Sequence, residues 1–129
     1  MDTNVLLRLS DRTHPLHPSI RATMQKLRHD GHRLQITPQN CVEFWNVATR
    51  PSNRNGFGLS PNSAHQLLRL IERLFSLLPD MPTMYTEWRR LVLTFNVSGV
   101  QVHDARLVAA MKEHGVTHIL TLNTTDFVR

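Results

Sequence analysis

Residues 32–49 read HRLQITPQNCVEFWNVAT, and this stretch decides the fold class. Leu34 and Ile36 alternate with polar neighbours over a run too short for a helix, the pattern of a strand. Thr37-Pro38 then supplies an N-cap and a first-turn proline, opening a helix through roughly Thr49. Upstream, Pro18 sits at a first helical position, Ile20, Met24 and Leu27 follow at helical spacing, and Gly31 is a natural stop. Downstream, Pro51–Leu59 (PSNRNGFGL) is a loop rich in backbone breakers. Ser60-Pro61 repeats the cap-and-proline start, and Ala64, Leu67, Leu68, Ile71, Leu74, Phe75 and Leu78 form an apolar stripe ended by Pro79 and Pro82. A helix is expected over Thr83–Phe95, with Met84, Trp88, Leu91, Val92 and Phe95 inward, and another over His103–His114, stopped by Gly115. Val116–Leu122 (VTHILTL) is β-rich. Helices inserted between short apolar strands imply crossovers and a parallel sheet, hence an α/β class with few strands and many helices.

The chain has 129 residues, 40% hydrophobic and 19% charged, which suits one domain spanning 1–129. No apolar run reaches the ~20 residues of a membrane span, and no secretory signal pattern is present. The single cysteine, Cys41, can make neither an internal disulfide nor a multi-cysteine zinc site. A soluble cytoplasmic protein without membrane partners is expected. The net charge is +5, and all the bases except Lys26 and Lys112 are arginines. Arginine's planar fork suits phosphate, so a polyanionic partner is indicated, although the arginines are scattered from Arg8 to Arg129.

Ten acids are few enough for position to matter. Glu72, Glu87 and Glu113 fit solvated helix faces, and Asp11, Asp30 and Asp80 fit turns. Four others are placed differently. Asp2 opens DTNVLL, where a strand hands over to a helix. Glu43 interrupts the apolar run Cys41-Val42-Glu43-Phe44-Trp45. Asp104 lies near the start of HDARLVAAM, after Val100-Gln101-Val102, and Asp126 follows the last β-rich segment. Taken singly, Asp2 is a solvated terminal acid, Asp104 an N-cap, Asp126 a turn residue and Glu43 the partner of Arg50 or another arginine. Taken together, they are acids at the carboxyl ends of strands, where open parallel sheets bind ligands. Crowded carboxylates need a cation, and Mg²⁺ or Mn²⁺ suits an all-oxygen site that activates water for displacement at phosphorus.

At these residues the sequence resembles PIN-domain ribonucleases, specifically the VapC type of bacterial toxin. The resemblance rests on DTNVLLR at 2–8, Glu43 within NCVEFWNVATRP, HDARLVAAM at 103–111, LTLNTTDF at 120–127 and the loop RPSNRNGFGLSP at 50–61. It runs end to end and implies a three-layer α/β/α sandwich with a short central parallel sheet. It also implies Mg²⁺- or Mn²⁺-dependent cleavage of RNA and a cognate antitoxin protein. Asp2, Glu43 and Asp104 fall on the family's three principal acids. Where many relatives carry a fourth acid this chain has Asn123, with Asp126 nearest. The implied ligands are Asp2 and Asp104, with Glu43 and Asp126 completing the shell or a second metal, and Asn4, Thr121 and Asn123 in support. Relatives also carry apolar residues before the first Asp and continue past the DF pair, so a domain shortened at both ends is expected.

Other readings are weaker. His114 and His118 straddle Gly115 and would not share a helical face for zinc. Cys41 in an apolar helix reads as core rather than nucleophile. Trp45 and Trp88 have core spacing, whereas Phe57 between two glycines is a candidate partner contact. A receiver domain would need a lysine after a late strand, and both lysines lie on helices. A catalytically weak module that binds RNA or antitoxin is the remaining alternative. The stripe at 64–78 and the Phe57 loop are the expected docking surfaces for an antitoxin or for a homodimer.

Overall fold

A computed structural model describes residues 1–122. The elements in chain order are α1 (Thr3–Ser10), α2 (His17–His29), β1 (Gln35–Ile36), α3 (Pro38–Thr49), α4 (Pro61–Leu74), β2 (Ser76–Leu77), α5 (Met84–Thr94) and α6 (Gln101–Glu113), with a 3-10 turn at Ser52–Arg54. The expected short parallel sheet is present: β1 pairs with β2 in the register Gln35↔Ser76 and Ile36↔Leu77. Helices outweigh strands in this α/β fold.

Backbone bonds extend the sheet beyond the two strands. Leu34 and Ile36 direct their carbonyls to Ser76 and Leu78 (3.1 and 2.8 Å), while the intervening Gln35 carbonyl accepts from the Met1 amine (3.2 Å). The Asp2 N–H turns the other way, to the Leu120 carbonyl (2.9 Å). Successive peptide groups of extended chain point to opposite sides, so residues 1–2 lie between β1 and the segment at 120. Val116–Leu122 forms no strand, contrary to its composition. Among the described residues its backbone link to the sheet is the bond from Asp2, and β propensity without a partner ladder does not make a strand.

Two further expectations are corrected. The stripe at 64–78 is not one helix: α4 ends at Leu74, and Ser76–Leu77 turn out as β2. Residues 101–102 belong to α6, whose N-cap is Val100, so Asp104 stands in a helical first turn and not at a strand end.

The core joins Val5, Leu6 and Leu7 of α1, Ile20 and Met24 of α2, Ile36 of β1, Phe44 and Ala48 of α3, and Ala64, Ile71 and Phe75 from α4 and its C-cap. Helix α6 packs on α5, burying Met84, Leu91, Leu107 and Ala110. Glu87 of α5 meets Arg90 of the same helix and Lys112 of α6 (2.7 and 3.2 Å), and hydrogen bonds from Arg90 and then Lys112 hold its carboxyl down to about 2.

The loop after α3 folds back onto that helix. Phe57, Gly58 and Leu59 N–H groups bond the carbonyls of Val47, Arg50 and Ala48. Phe57 is thereby half-buried against the core. A Cβ at Gly56 would sit 2.0 Å from the Arg50 carbonyl oxygen. Gly56→Ala should therefore destabilise the protein by about 1–3 kcal/mol. An unchanged urea midpoint would contradict this packing.

Candidate active site

Asp2 occupies the N-cap position of α1 but makes no side-chain cap bond. Its carboxylate Oδ2 instead accepts from the Thr121 hydroxyl (2.7 Å), joining the start of the chain to residue 121. Asp2 is only 9% exposed, so it is no solvated terminal acid. The neighbouring Met1 ammonium is itself buried, and that burial lowers its pKa against the opposing pull of Asp2. The Asp2 carboxylate is thus enclosed, with the Thr121 hydroxyl on Oδ2 and the Met1 ammonium beside it.

The next residue serves a second acid. Thr3 donates its hydroxyl to Glu43 Oε1 (2.7 Å) and accepts from the Asn40 amide Nδ2 (3.0 Å). Asn40 is fully buried, and its Oδ1 accepts from the Thr37 N–H (2.9 Å), while the Thr37 hydroxyl accepts from the Asn40 N–H (3.2 Å). This is a capping box in which Asn replaces the usual Glu or Gln at the third helical position. Its spare amide protons reach out of α3 to α1. Among the described residues Glu43 makes no ion pair with Arg50 or any other arginine. Its place in an apolar run is explained by partial exposure: Glu43 is half-buried at the cleft beside the 70%-exposed Val42, with Thr3 as its hydrogen-bond partner.

Helix α6 is fixed beside this network. Gln39, almost completely buried, donates Nε2 to the His103 carbonyl (2.7 Å) and accepts from Arg106 Nη1 (3.0 Å). From the other side the Trp88 indole N–H donates to the Val102 carbonyl (2.8 Å). Both bonds brace the first turn of α6, which carries the half-buried Asp104. Glu43 lines a cleft of about 770 Å³ together with Asn4, Asn46, Arg50, His103 and Arg106.

Asp2 adjoins Thr3, the partner of Glu43, but Glu43 lines the cleft whereas Asp2 and Asp104 are not among its lining residues. Asn123 and Asp126 lie outside the described residues. Among the described residues no three of His, Cys, Asp and Glu gather in a metal-binding group. His114 is the C-cap of α6, with its ring on the Pro79 carbonyl (2.7 Å), which removes the zinc reading. Burial, with a smaller push from Glu72, raises the Cys41 thiol pKa, the reverse of what a nucleophile needs. No described helix is long and apolar enough to cross a membrane.

Sequence reasoning named Thr37 as a cap but missed Thr3, Gln39, Asn40 and Arg106. The spacing Thr37-Pro-Gln-Asn40 was the available signal, a capping box with Asn in its last place. Asn40→Ala should cost about 2 kcal/mol or more by orphaning buried partners. Thr3→Val, equal in size, should cost about 1 kcal/mol while leaving Glu43 unoriented. Equal stability of Asn40→Ala and wild type in chemical denaturation would refute the network.

A protein-family model described as PIN domain matches residues 1–129. No curated protein matches the chain.

Proposed function

The chain belongs to the PIN-domain family, whose members are generally metal-dependent nucleases, and on that premise we propose a Mg²⁺- or Mn²⁺-dependent endoribonuclease. Its role in this reading is that of a cytoplasmic VapC-type toxin. The observation that carries the proposal is Asp2, an enclosed carboxylate at an N-cap position that leaves the helix uncapped and is turned by Thr121 instead. A helix-capping or solvated role would not need that arrangement.

The donor chemistry fits a hard cation, since the candidate ligands are carboxylates. Asp2 and Asp104 would hold it, with Asp126 and Asn123 as the remaining candidates from the end of the chain. When bound, such an ion neutralises the carboxylates and makes water nucleophilic for in-line attack at phosphorus. The protein's part is orientation. Thr121 fixes the Asp2 carboxylate, and Asn40 acting through Thr3 fixes Glu43 at the cleft, where it can accept a hydrogen bond from the attacking water. Leu70 and Leu74, each about half exposed on α4, support a protein partner on that helix, an antitoxin in this proposal.

Asp104→Asn keeps the side chain's size but removes the charge a hard cation requires. Cleavage of a generic single-stranded RNA in Mn²⁺ should fall by more than about 100-fold while RNA binding persists. In the wild type, Mn²⁺ at a hundred times Kd should add about 2.7 kcal/mol of stability over EDTA. Wild-type cleavage by the variant with no effect of EDTA would defeat the metal mechanism. RNA binding without cleavage by the wild type would leave a catalytically weak binding module.

A further inference from the structure

The cleft that Glu43 lines has a feature that water activation does not use. Two arginines from different elements line the same space as Glu43: Arg50 at the end of α3, whose Nη1 donates a long, exposed bond to the Arg54 carbonyl (3.5 Å), and Arg106 on α6. Arg106 is set from behind. Its Nη1 donates to the Oε1 of the nearly buried Gln39, whose other amide end holds the His103 carbonyl. A guanidinium held at one nitrogen by a neutral amide is anchored there without being neutralised. On the open side, Nη2 stands 3.6 Å from the carboxylate of Asp80, with the two side chains 42% and 49% exposed. That separation exceeds a charge-assisted hydrogen bond, and an ion pair so exposed contributes little. Arg106 is thus anchored at the cleft wall and only loosely neutralised there.

We propose that the Arg50–Arg106 side of this cleft grips a backbone phosphate of the substrate strand next to the scissile bond, with Asp80 as the anion that phosphate displaces. This rests on the ribonuclease reading and assigns the residues that position its substrate. A phosphodiester offers the planar guanidinium two oxygens and a full charge, the match for which arginine is suited. The neutral donors Asn46 and Asn4 on the same walls suit further contacts to phosphate or sugar. Arg50 and Arg106 are positioning residues. They set where the strand lies against Glu43 and leave bond breaking to the carboxylates.

The test measures binding of a short labelled single-stranded RNA in EDTA, where no cleavage competes, over a range of salt. Arg106→Gln and Arg50→Gln should each weaken binding about tenfold and lower the salt slope by about 0.7, the loss of one phosphate contact on a single strand. Arg106→Lys should fall between, keeping charge without the fork. Asp80→Asn should tighten binding a few-fold. Asp30→Asn, the same change in net charge on a residue outside the cleft, should leave it unchanged. Unaltered affinity and slope in both arginine variants, or equal gains from Asp80→Asn and Asp30→Asn, would overturn the proposal. If Arg106→Gln fails to fold because Gln39 loses its partner, Arg50→Gln and Asp80→Asn decide the matter. These failures are separable from failure of the nuclease reading: wild type that cuts RNA in Mn²⁺ with indifferent arginines refutes only the clamp. Wild type that cuts no RNA refutes the activity.

Discussion

The buried amide of Asn40 is the interaction on which the site depends. It closes the capping box at the start of α3 and sends the remaining amide donor across to Thr3, and the Thr3 hydroxyl then commits its proton to Glu43. The bonds on both ends of the Asn40 amide fix which end is oxygen and which is nitrogen. In a low-dielectric interior such a chain is worth having only when complete, since any broken link leaves a buried polar atom unmatched. Among the described residues no buried side-chain nitrogen or oxygen lacks a partner. The same few atoms therefore begin a helix, join two helices and aim a carboxylate.

A similar economy governs the other wall. Gln39 neighbours Asn40 on α3, and its amide spans from α6 backbone to an α6 side chain. Trp88 of α5 bonds the preceding carbonyl of the same turn. Asp104 thus gets its position from α3 and α5 as well as from its own helix. Helix α6 offers four buried residues, two of them adjacent alanines, and small side chains permit close approach without fixing rotation. The polar bonds at its first turn supply that orientation.

Local signals were legible wherever a single residue type sets backbone geometry. Thr37-Pro38 and Ser60-Pro61 marked helix starts, and Thr37 and Ser60 do cap α3 and α4 through their side chains. Glu43 stood out because a charge among apolar residues requires an explanation, and partial exposure at the cleft with Thr3 as partner provides one. Among the described residues no arginine pairs with it, and a hydroxyl 40 positions earlier reaches it instead. The β2 strand was hidden because Phe75 and Leu78 continue the helical spacing of α4, and only pairing with β1 distinguishes them. The segment 116–122 erred the other way, with strand-forming residues but one backbone link to the sheet.

Sequence by itself determined the helices, the parallel α/β class, the charge that suits a polyanion and the acids worth suspecting, because these follow from composition, spacing and capping within a few residues. Tertiary structure alone decided which residues serve those acids. Thr121 turns Asp2 from 119 positions away, Gln39 braces the turn of Asp104 from 64, and Arg106 faces the cleft of Glu43. Hydrogen bonds between side chains so far apart in sequence leave no periodicity to read. They exist only once the hydrophobic core has closed the intervening chain and brought their elements together.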